Sequence, residues 1–186
     1  MTLAGGPVRL SDLPDSAAAL EALTAIFFES SPRTAFTSSQ ERQNFLERWT
    51  DFYLSHYPED VWLWREDDGS FAGYVTGCRD SAGAEPLYQA VPGYAVFEDC
   101  FGAFPAHLHV NCRSDRQGRG IGARLVDRFA AECREEGLAG VHIVTAPTAR
   151  NVGFYQRTGF TEQVLRDFSG RPLLFMGRRL RAEGGV

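Results

Sequence analysis

The stretch CRSDRQGRGIGARLVDRF, Cys112–Phe129, joins a glycine-rich turn to an apolar helical pattern. Glycines stand at positions 118, 120 and 122, and their lack of a Cβ lets successive backbone N–H groups face a ligand. No Ser, Thr, Asp or Asn stands directly before the first helical residues, so their N–H groups are left without a side-chain cap. A helix start carries partial positive charge. The stretch therefore predicts a turn that binds a phosphate group.

Other phosphate-binding patterns fit this turn poorly. A Walker loop needs Lys followed by Ser or Thr, and all 19 basic residues of the chain are Arg. A dinucleotide-binding turn lies directly after its strand and is followed by an acidic residue that binds ribose. Here the glycines lie several residues beyond the strand, and VHIVTA, residues 141–146, ends without an acid. A tight connection that binds nothing stays open as an alternative, whereas Arg116, Arg119 and Arg124 would add positive charge for an anion.

The segment AHLHVNC before the turn, Ala106–Cys112, alternates between apolar and polar residues. This period of two predicts a strand with His107, His109 and Asn111 on one polar face. The ordinary pKa of histidine lies near neutrality, which makes His109 a candidate general base. A hydrogen-bonded structural histidine is the alternative at this position.

The hydrophobic pattern along the chain predicts the element order β-α-α-β-β-β-α-β-α-β-β. Helices are expected within residues 11–30 and over 39–55, and a hairpin is expected from VWLWRE and FAGYVTGC about the turn DDGS. The segment from Asp80 to Pro105 carries Gly, Pro and many aromatic residues, and is predicted to be a long functional loop. Its acidic residues Glu98 and Asp99 are candidates for attracting a cationic amine. The fold class expected is α+β with an α/β mixed sheet.

The length of 186 residues predicts a single domain over residues 1–186. A net charge of −5 argues against a nucleic-acid or anionic-membrane binder. The N-terminus lacks the pattern of a signal peptide and no run reaches 18 apolar residues, so we expect no membrane partner and a cytoplasmic protein. The use of Arg in place of Lys suggests a bacterial source with a high GC content.

The four cysteines show no Cys-x-x-Cys pair and no zinc-like spacing to the four histidines. We therefore expect no metal site. Cys112 and Cys133 fall on apolar periodic positions, where a free cysteine is usually a small core residue.

Three segments together resemble the cofactor-binding core of the GNAT superfamily of N-acetyltransferases. They are VNCRSDRQGRGIGARLVDRFAAECREEG, VHIVTA and NVGFYQRTGF, and they cover roughly residues 106–164. The segment FPAHLHVNC is in addition similar to the acetyltransferase-like C-terminal domain of O-GlcNAcases. The resemblance implies a GNAT-like acyl-CoA N-acyltransferase fold, with a splayed central strand pair flanked by helices and acetyl-coenzyme A as cosubstrate.

The resemblance also assigns residues. The main chain of Val110, Asn111 and Cys112 would pair with the pantetheine arm, and Asn151 would contact the same arm. The pyrophosphate would lie on the turn formed by Gln117, Gly118, Arg119, Gly120, Ile121 and Gly122. The hydroxyl of Tyr155 would lie near the thioester sulfur and stabilise or protonate the thiolate, whereas an aromatic packing role is the alternative.

The function expected is acetyl transfer from acetyl-coenzyme A to the amine of a small molecule or peptide. His109 and Tyr155 are its candidate catalytic residues. A catalytically silent acetyltransferase-like module that binds a peptide or protein is the alternative suggested by the O-GlcNAcase-like segment. Transfer of an acyl group longer than acetyl is a third possible function. The sequence does not identify the acceptor or the oligomeric state.

Overall fold

The computed structural model describes residues 5–31 and 33–180. The strands within these residues are β1 (Gly6–Arg9), β2 (Val61–Arg65), β3 (Phe71–Cys78), β4 (Ala106–Cys112), β5 (Gly140–Thr145), β6 (Glu162–Phe168) and β7 (Arg171–Arg179). They form one sheet of seven strands in the order β1-β2-β3-β4-β5-β7-β6. The ladder between β4 and β5 is parallel, and antiparallel ladders join β1 to β2, β2 to β3, and β7 to both β5 and β6. This mixed sheet confirms the predicted fold class.

The α-helices of the described residues are α1 (Ala17–Ser30), α2 (Ser39–Leu46), α3 (Phe52–His56), α4 (Glu85–Ala90), α5 (Ile121–Glu135) and α6 (Val152–Arg157). The observed order of strands and helices follows the predicted order, with α3 and α4 as additions. The helix expected over residues 39–55 is divided, because a π-helical segment at Glu47–Asp51 separates α2 from α3. Such π-helical insertions occur frequently at functional sites.

The described residues fall into two compact units. The first unit comprises the chain up to Gly77 together with His109–Phe129, and the second comprises Cys78–Leu108 and the chain from Ala130 onward. β4 and α5 therefore each contribute residues to both units. The expectation of a single domain over residues 1–186 stays a prediction.

The core of the first unit lies between α1 and the antiparallel strands β1 to β3. The apolar positions of α1 recur at helical spacing and bury one face of the helix, against side chains of β2 and β3. Fully or almost fully buried members of this cluster are Ala19, Leu23, Ile26, Val61, Leu63 and Tyr74. Glu29 of α1 also accepts a hydrogen bond of 2.8 Å from the N–H of Ser114, which links α1 to the segment between β4 and the glycine turn.

The core of the second unit is built around aromatic rings. Phe104 and Phe175 are buried with their ring centroids 5.6 Å apart. A Cβ added at Gly140 or Gly177 would come within 2.5 or 2.6 Å of the Phe104 ring. Glycine at these two strand positions therefore makes room for the ring.

The prediction of a long loop from Asp80 to Pro105 was wrong in part. Helix α4 and a 3₁₀ helix at Pro92–Cys100 occupy much of the segment. Each of these helices has a proline in its first turn, where the missing N–H costs nothing. Tyr94 and Phe97 anchor the 3₁₀ helix, because their side chains are only 3% and 0% exposed. Both helices are too short to show the apolar repeat from which longer helices are predicted.

No helix in the described part of the chain is both long and apolar enough to cross a membrane.

Candidate active site

The glycine turn has the backbone conformation that its sequence predicts. Gly118 and Gly120 have φ angles of +74° and +85°, in the left-handed region that favours glycine. Residues 117–120 are exposed. A Cβ added at Gly118 would meet nothing within 4 Å, so the space above this residue is open to a ligand.

The start of α5 leaves backbone donors beside this turn. A bond of 3.1 Å from the Arg124 N–H to the Gly120 carbonyl begins the helical hydrogen-bond ladder. The N–H groups of Ile121, Gly122 and Ala123 precede this bond and have no helical partner. N–H groups without an intrahelical partner at a helix start suit a phosphate or pyrophosphate. The arrangement therefore fits the cofactor that the resemblance implies.

The arginines near the turn divide into paired and unpaired ones. Arg116 lies 2.9 Å from Glu66 and 2.6 Å from Asp115, so carboxylates already neutralise the charge that was expected to help hold an anion. Arg113 is paired with the same Asp115 at 2.9 Å. Arg119 is exposed and has no carboxylate partner within residues 5–31 and 33–180. Arg119 is therefore the turn residue whose guanidinium is open to a phosphate.

His109 on the polar face of β4 is held by aromatic residues of the π-helical region. Its Nε2 lies 2.9 Å from the hydroxyl of Tyr53, and its ring contacts the rings of Tyr53 and Trp49 at centroid distances of 5.3 and 5.8 Å. Burial among these groups lowers the pKa of His109 to about 4, because desolvation disfavours the charged imidazolium. His109 is therefore neutral at physiological pH.

The last residues of β4 are partly buried. Asn111 Nδ2 donates a hydrogen bond of 2.8 Å to the Tyr74 hydroxyl. Cys112 packs over Gly73, where an added Cβ would lie 2.8 Å from Sγ. Burial raises the pKa of the Cys112 thiol to about 11, so the thiol is neutral and behaves as the small packing residue predicted. Val110 between His109 and Asn111 is half-buried.

His107 differs sharply from His109 although both lie on the predicted polar face. The side chain of His107 is 0% exposed, belongs to the second unit, and bonds Ser81 Oγ through Nδ1 at 2.7 Å. Its ring also contacts that of Tyr94, with centroids 5.1 Å apart. These contacts give His107 a structural role in the core of the second unit.

The remaining predicted site residues lie in the second unit. Tyr155 on α6 is 5% exposed and contacts the rings of Phe154 and Phe160 at 5.1 and 5.3 Å. It is the more deeply buried of the adjacent pair, whereas Phe154 was expected to be the packing residue. Asn151 is exposed, and its Oδ1 accepts a hydrogen bond of 3.2 Å from Thr145.

The expectation that Asp99 attracts a cationic amine is not supported. Arg166 binds both carboxylate oxygens of Asp99 at 2.6 Å. This bidentate pair lowers the pKa of Asp99 and uses its charge within the second unit.

Within residues 5–31 and 33–180, the structure contains no group of three or more His, Cys, Asp or Glu side chains that could hold a metal ion.

The glycine turn and the strand before it lie in the part of the chain that a known family also covers. The family described as "Acetyltransferase (GNAT) family" matches residues 20–160. The chain belongs to the GNAT acetyltransferase family. This confirms the resemblance to the GNAT superfamily and makes acetyl transfer the general class of reaction, whereas the similarity to the C-terminal domain of O-GlcNAcases stays a prediction.

Solved structures share the fold of this GNAT protein. A crystal structure of SsHAT is 23% identical, with a TM-score of 0.68 over 95% of this chain and 99% of the other. An apo variant of an agmatine N-acetyltransferase is 16% identical, with a TM-score of 0.62 over 94% and 99%. Ard1 from Thermoplasma volcanium is also 16% identical, with a TM-score of 0.58 over 96% and 99%. At sequence identities this low, the similarity to these structures shows the fold alone.

Sequence reasoning missed the residues that position His109. Tyr53 and Trp49 precede His109 in the sequence by 56 and 60 residues and were expected only on the apolar face of a helix. No motif links these positions to β4. The interruption of the helix by the π-helical segment, which carries Trp49 just before Tyr53, has no clear sequence signal.

Proposed function

We propose that this GNAT protein transfers the acetyl group of acetyl-coenzyme A to the amine of a small molecule or peptide. The observation that carries the proposal is the glycine turn, with residues 117–120 exposed, positive φ angles at Gly118 and Gly120, and the helix-start N–H groups after it that have no intrahelical partner. A module that binds no phosphate has no need of these features. Family membership supports the same donor, since GNAT enzymes typically use acetyl-coenzyme A.

Within this proposal the first unit binds the cofactor. The N–H groups of Gln117, Gly118, Arg119, Gly120, Ile121 and Gly122 hold the pyrophosphate, and the Arg119 guanidinium adds a charge-assisted contact. The main chain of Val110, Asn111 and Cys112 pairs with the pantetheine arm, as the family resemblance implies. Acetyl-coenzyme A supplies an acetyl group activated as a thioester.

The catalytic role of His109 depends on its hydrogen bond with Tyr53. If the Tyr53 hydroxyl donates to Nε2, the neutral imidazole carries its proton on Nδ1 and has no free lone pair. If Nε2–H donates to the Tyr53 oxygen, the lone pair of the neutral ring lies on Nδ1. A general base at His109 therefore acts through Nδ1, with Tyr53 as the residue that fixes this tautomer.

The roles proposed for Tyr155 and Asn151 rest on the resemblance to the GNAT superfamily. Tyr155 Oη donates a proton to the leaving sulfur, and Asn151 contacts the cofactor arm. We expect Tyr155→Phe to lower kcat roughly 10-fold to 100-fold while the Kd for acetyl-coenzyme A stays within about twofold. Steady-state kinetics with calorimetry separate the two quantities, and an unchanged kcat would show that Tyr155 serves packing alone.

Calorimetry with acetyl-coenzyme A tests the proposal directly. We expect saturable binding of acetyl-coenzyme A in the micromolar range and no binding of S-acetyl-pantetheine, the matched ligand that lacks the pyrophosphate and the nucleotide. Absence of binding at millimolar acetyl-coenzyme A would favour a catalytically silent module similar to the C-terminal domain of O-GlcNAcases. Tighter binding of a longer acyl-coenzyme A would instead indicate transfer of a longer acyl group. The cytoplasmic location and bacterial source stay predictions from composition.

A further inference from the structure

A second concave region of the first unit lies between α1 and the start of α2. Its cavity volume is about 530 Å³, within the usual range for small-molecule sites. We call it the arginine–phenylalanine pocket, and its lining includes Phe28, Arg33, Phe36, Ser38, Ser39 and Arg42. None of these residues was singled out by the sequence motifs of the cofactor site.

The two arginines of the pocket lie over aromatic rings. The Arg42 guanidinium lies 3.4 Å from the centroid of Phe28, and that of Arg33 lies 4.8 Å from the centroid of Phe36. Arg42 has no carboxylate partner in the described part of the chain. Arg42 therefore brings a positive charge without a carboxylate partner to the wall of the pocket, held over an apolar ring.

Arg33 is the neutralised member of the pair. It forms an ion pair with Glu41, which also accepts hydrogen bonds of 2.6 and 2.8 Å from the N–H and hydroxyl of Thr37. These bonds, the backbone one first, lower the pKa of Glu41 to about 2. Glu41 is not part of the lining, so the described residues that line the pocket include two cations and no acid.

The remaining lining groups are hydrogen-bond donors and apolar rings. Ser38 Oγ accepts the Glu41 N–H at 3.1 Å, which leaves its O–H to donate, and Ser39 is also a lining residue. Cationic and donor groups repel an ammonium and favour an anion that accepts several hydrogen bonds. The phenylalanine walls favour a flat apolar body next to that anion.

The helix that carries Arg42 leads to the proposed base. Arg42 and Trp49 are separated by seven residues on α2 and its π-helical continuation, a distance of about 10 Å along a helix. The Trp49 ring contacts that of His109 at 5.8 Å. We propose that the pocket holds the carboxylate of the acceptor, so that the substrate is an amine joined through an aromatic body to a carboxylate. This inference rests on the proposed acetyl transfer.

Binding of phenylacetate tests the ligand class without any catalysis. We expect calorimetry to show at least about tenfold tighter binding of phenylacetate than of neutral phenylacetamide. Arg42→Gln removes this preference, whereas Arg48→Gln, which changes an exposed arginine outside the lining, retains it. Equal binding of the two ligands, or an unchanged preference in Arg42→Gln, would overturn the proposal.

Acetylation of 4-(aminomethyl)phenylacetate and of its amide tests the role of the pocket in the reaction. We expect KM to be about tenfold lower for the carboxylate, and Arg42→Gln to raise that KM alone with little change in kcat. Equal KM values for the two amines would refute the assignment of the pocket to the acceptor. Failure to acetylate any amine, with Arg42-dependent phenylacetate binding retained, would refute the proposed function while the ligand class stands.

Discussion

The glycine turn and the arginine–phenylalanine pocket both suit an anion, yet they are built in opposite ways. At the turn the nearby Arg116 is neutralised by Glu66 and Asp115, so the site depends on backbone N–H groups. In the pocket the Arg42 guanidinium over Phe28 supplies the charge.

This difference separates two kinds of recognition. A backbone site holds a phosphate in one place whatever the rest of the ligand is, which suits a cofactor common to many acceptors. A site made of side chains on different elements changes its preference when one residue changes, which suits selection of an acceptor.

The largest effect is expected from a side chain placed over the turn. Gly118 and Gly170 form a matched pair, since their φ angles are +74° and +77° and an added Cβ would meet no protein atom within 4 Å at either. The backbone strain of a valine is therefore similar at the two positions. We expect Gly118→Val to weaken binding of acetyl-coenzyme A about 100-fold, because the new side chain fills the space that the pyrophosphate needs, whereas Gly170→Val leaves the affinity unchanged.

Calorimetry and thermal unfolding of both variants distinguish the causes. Equal loss of thermal stability with loss of affinity only in Gly118→Val supports the backbone site. Retained affinity in Gly118→Val would place the pyrophosphate elsewhere.

The backbone site and the sheet were largely predictable because their signals are local. The alternation of Ala106–Cys112 gave β4 its observed bounds, and the apolar spacing after Gly120 with Gly137 at φ +79° marked the extent of α5. Each signal involves neighbours in the sequence, where geometry depends on a few φ angles and one helical period.

The pocket and the surroundings of His109 were not predictable for the opposite reason. Their contacts join positions far apart, such as Tyr53 with His109. Alternation placed His107 and His109 on one face of β4, but the depth of burial depends on residues such as Ser81 that pack against that face. The ion pairs of Arg116 and Asp99 show the same limit, because a charge in the sequence does not reveal its partner.

Substitution of Arg119 and of Arg116 should change the affinity for acetyl-coenzyme A by different, smaller amounts. Arg119 is exposed and without a carboxylate partner among the described residues, so Arg119→Gln should weaken acetyl-coenzyme A binding about fivefold and reduce its dependence on salt. Arg116→Gln should leave this affinity within about twofold and lower the thermal stability, since Glu66 loses its partner. Calorimetry at two salt concentrations checks both expectations. A larger loss of affinity in Arg116→Gln would show that its ion pairs open to bind the cofactor.

The smallest expected change in affinity comes from Glu41, the carboxylate next to the pocket. Glu41→Gln removes the carboxylate that neutralises Arg33, so we expect phenylacetate to bind two- to threefold more tightly, as a screened surface charge allows. The sign is opposite to that expected from general damage to the fold, and Glu47→Gln, an exposed acid of the same helical run, is the control with unchanged affinity.

The dependence of this gain on pH follows from the lowered pKa of Glu41. Its carboxylate stays charged as the pH falls from 8 to 5 and becomes protonated only towards pH 2, and His109 stays neutral until the pH approaches 4. Wild-type affinity for phenylacetate should therefore be flat between pH 8 and pH 5, and the difference from Glu41→Gln should be constant over the same range. A midpoint near the ordinary histidine pKa of about 6.5 would mean that a histidine faces the bound carboxylate, and the pocket would then discriminate by protonation instead of by the fixed charge of Arg42.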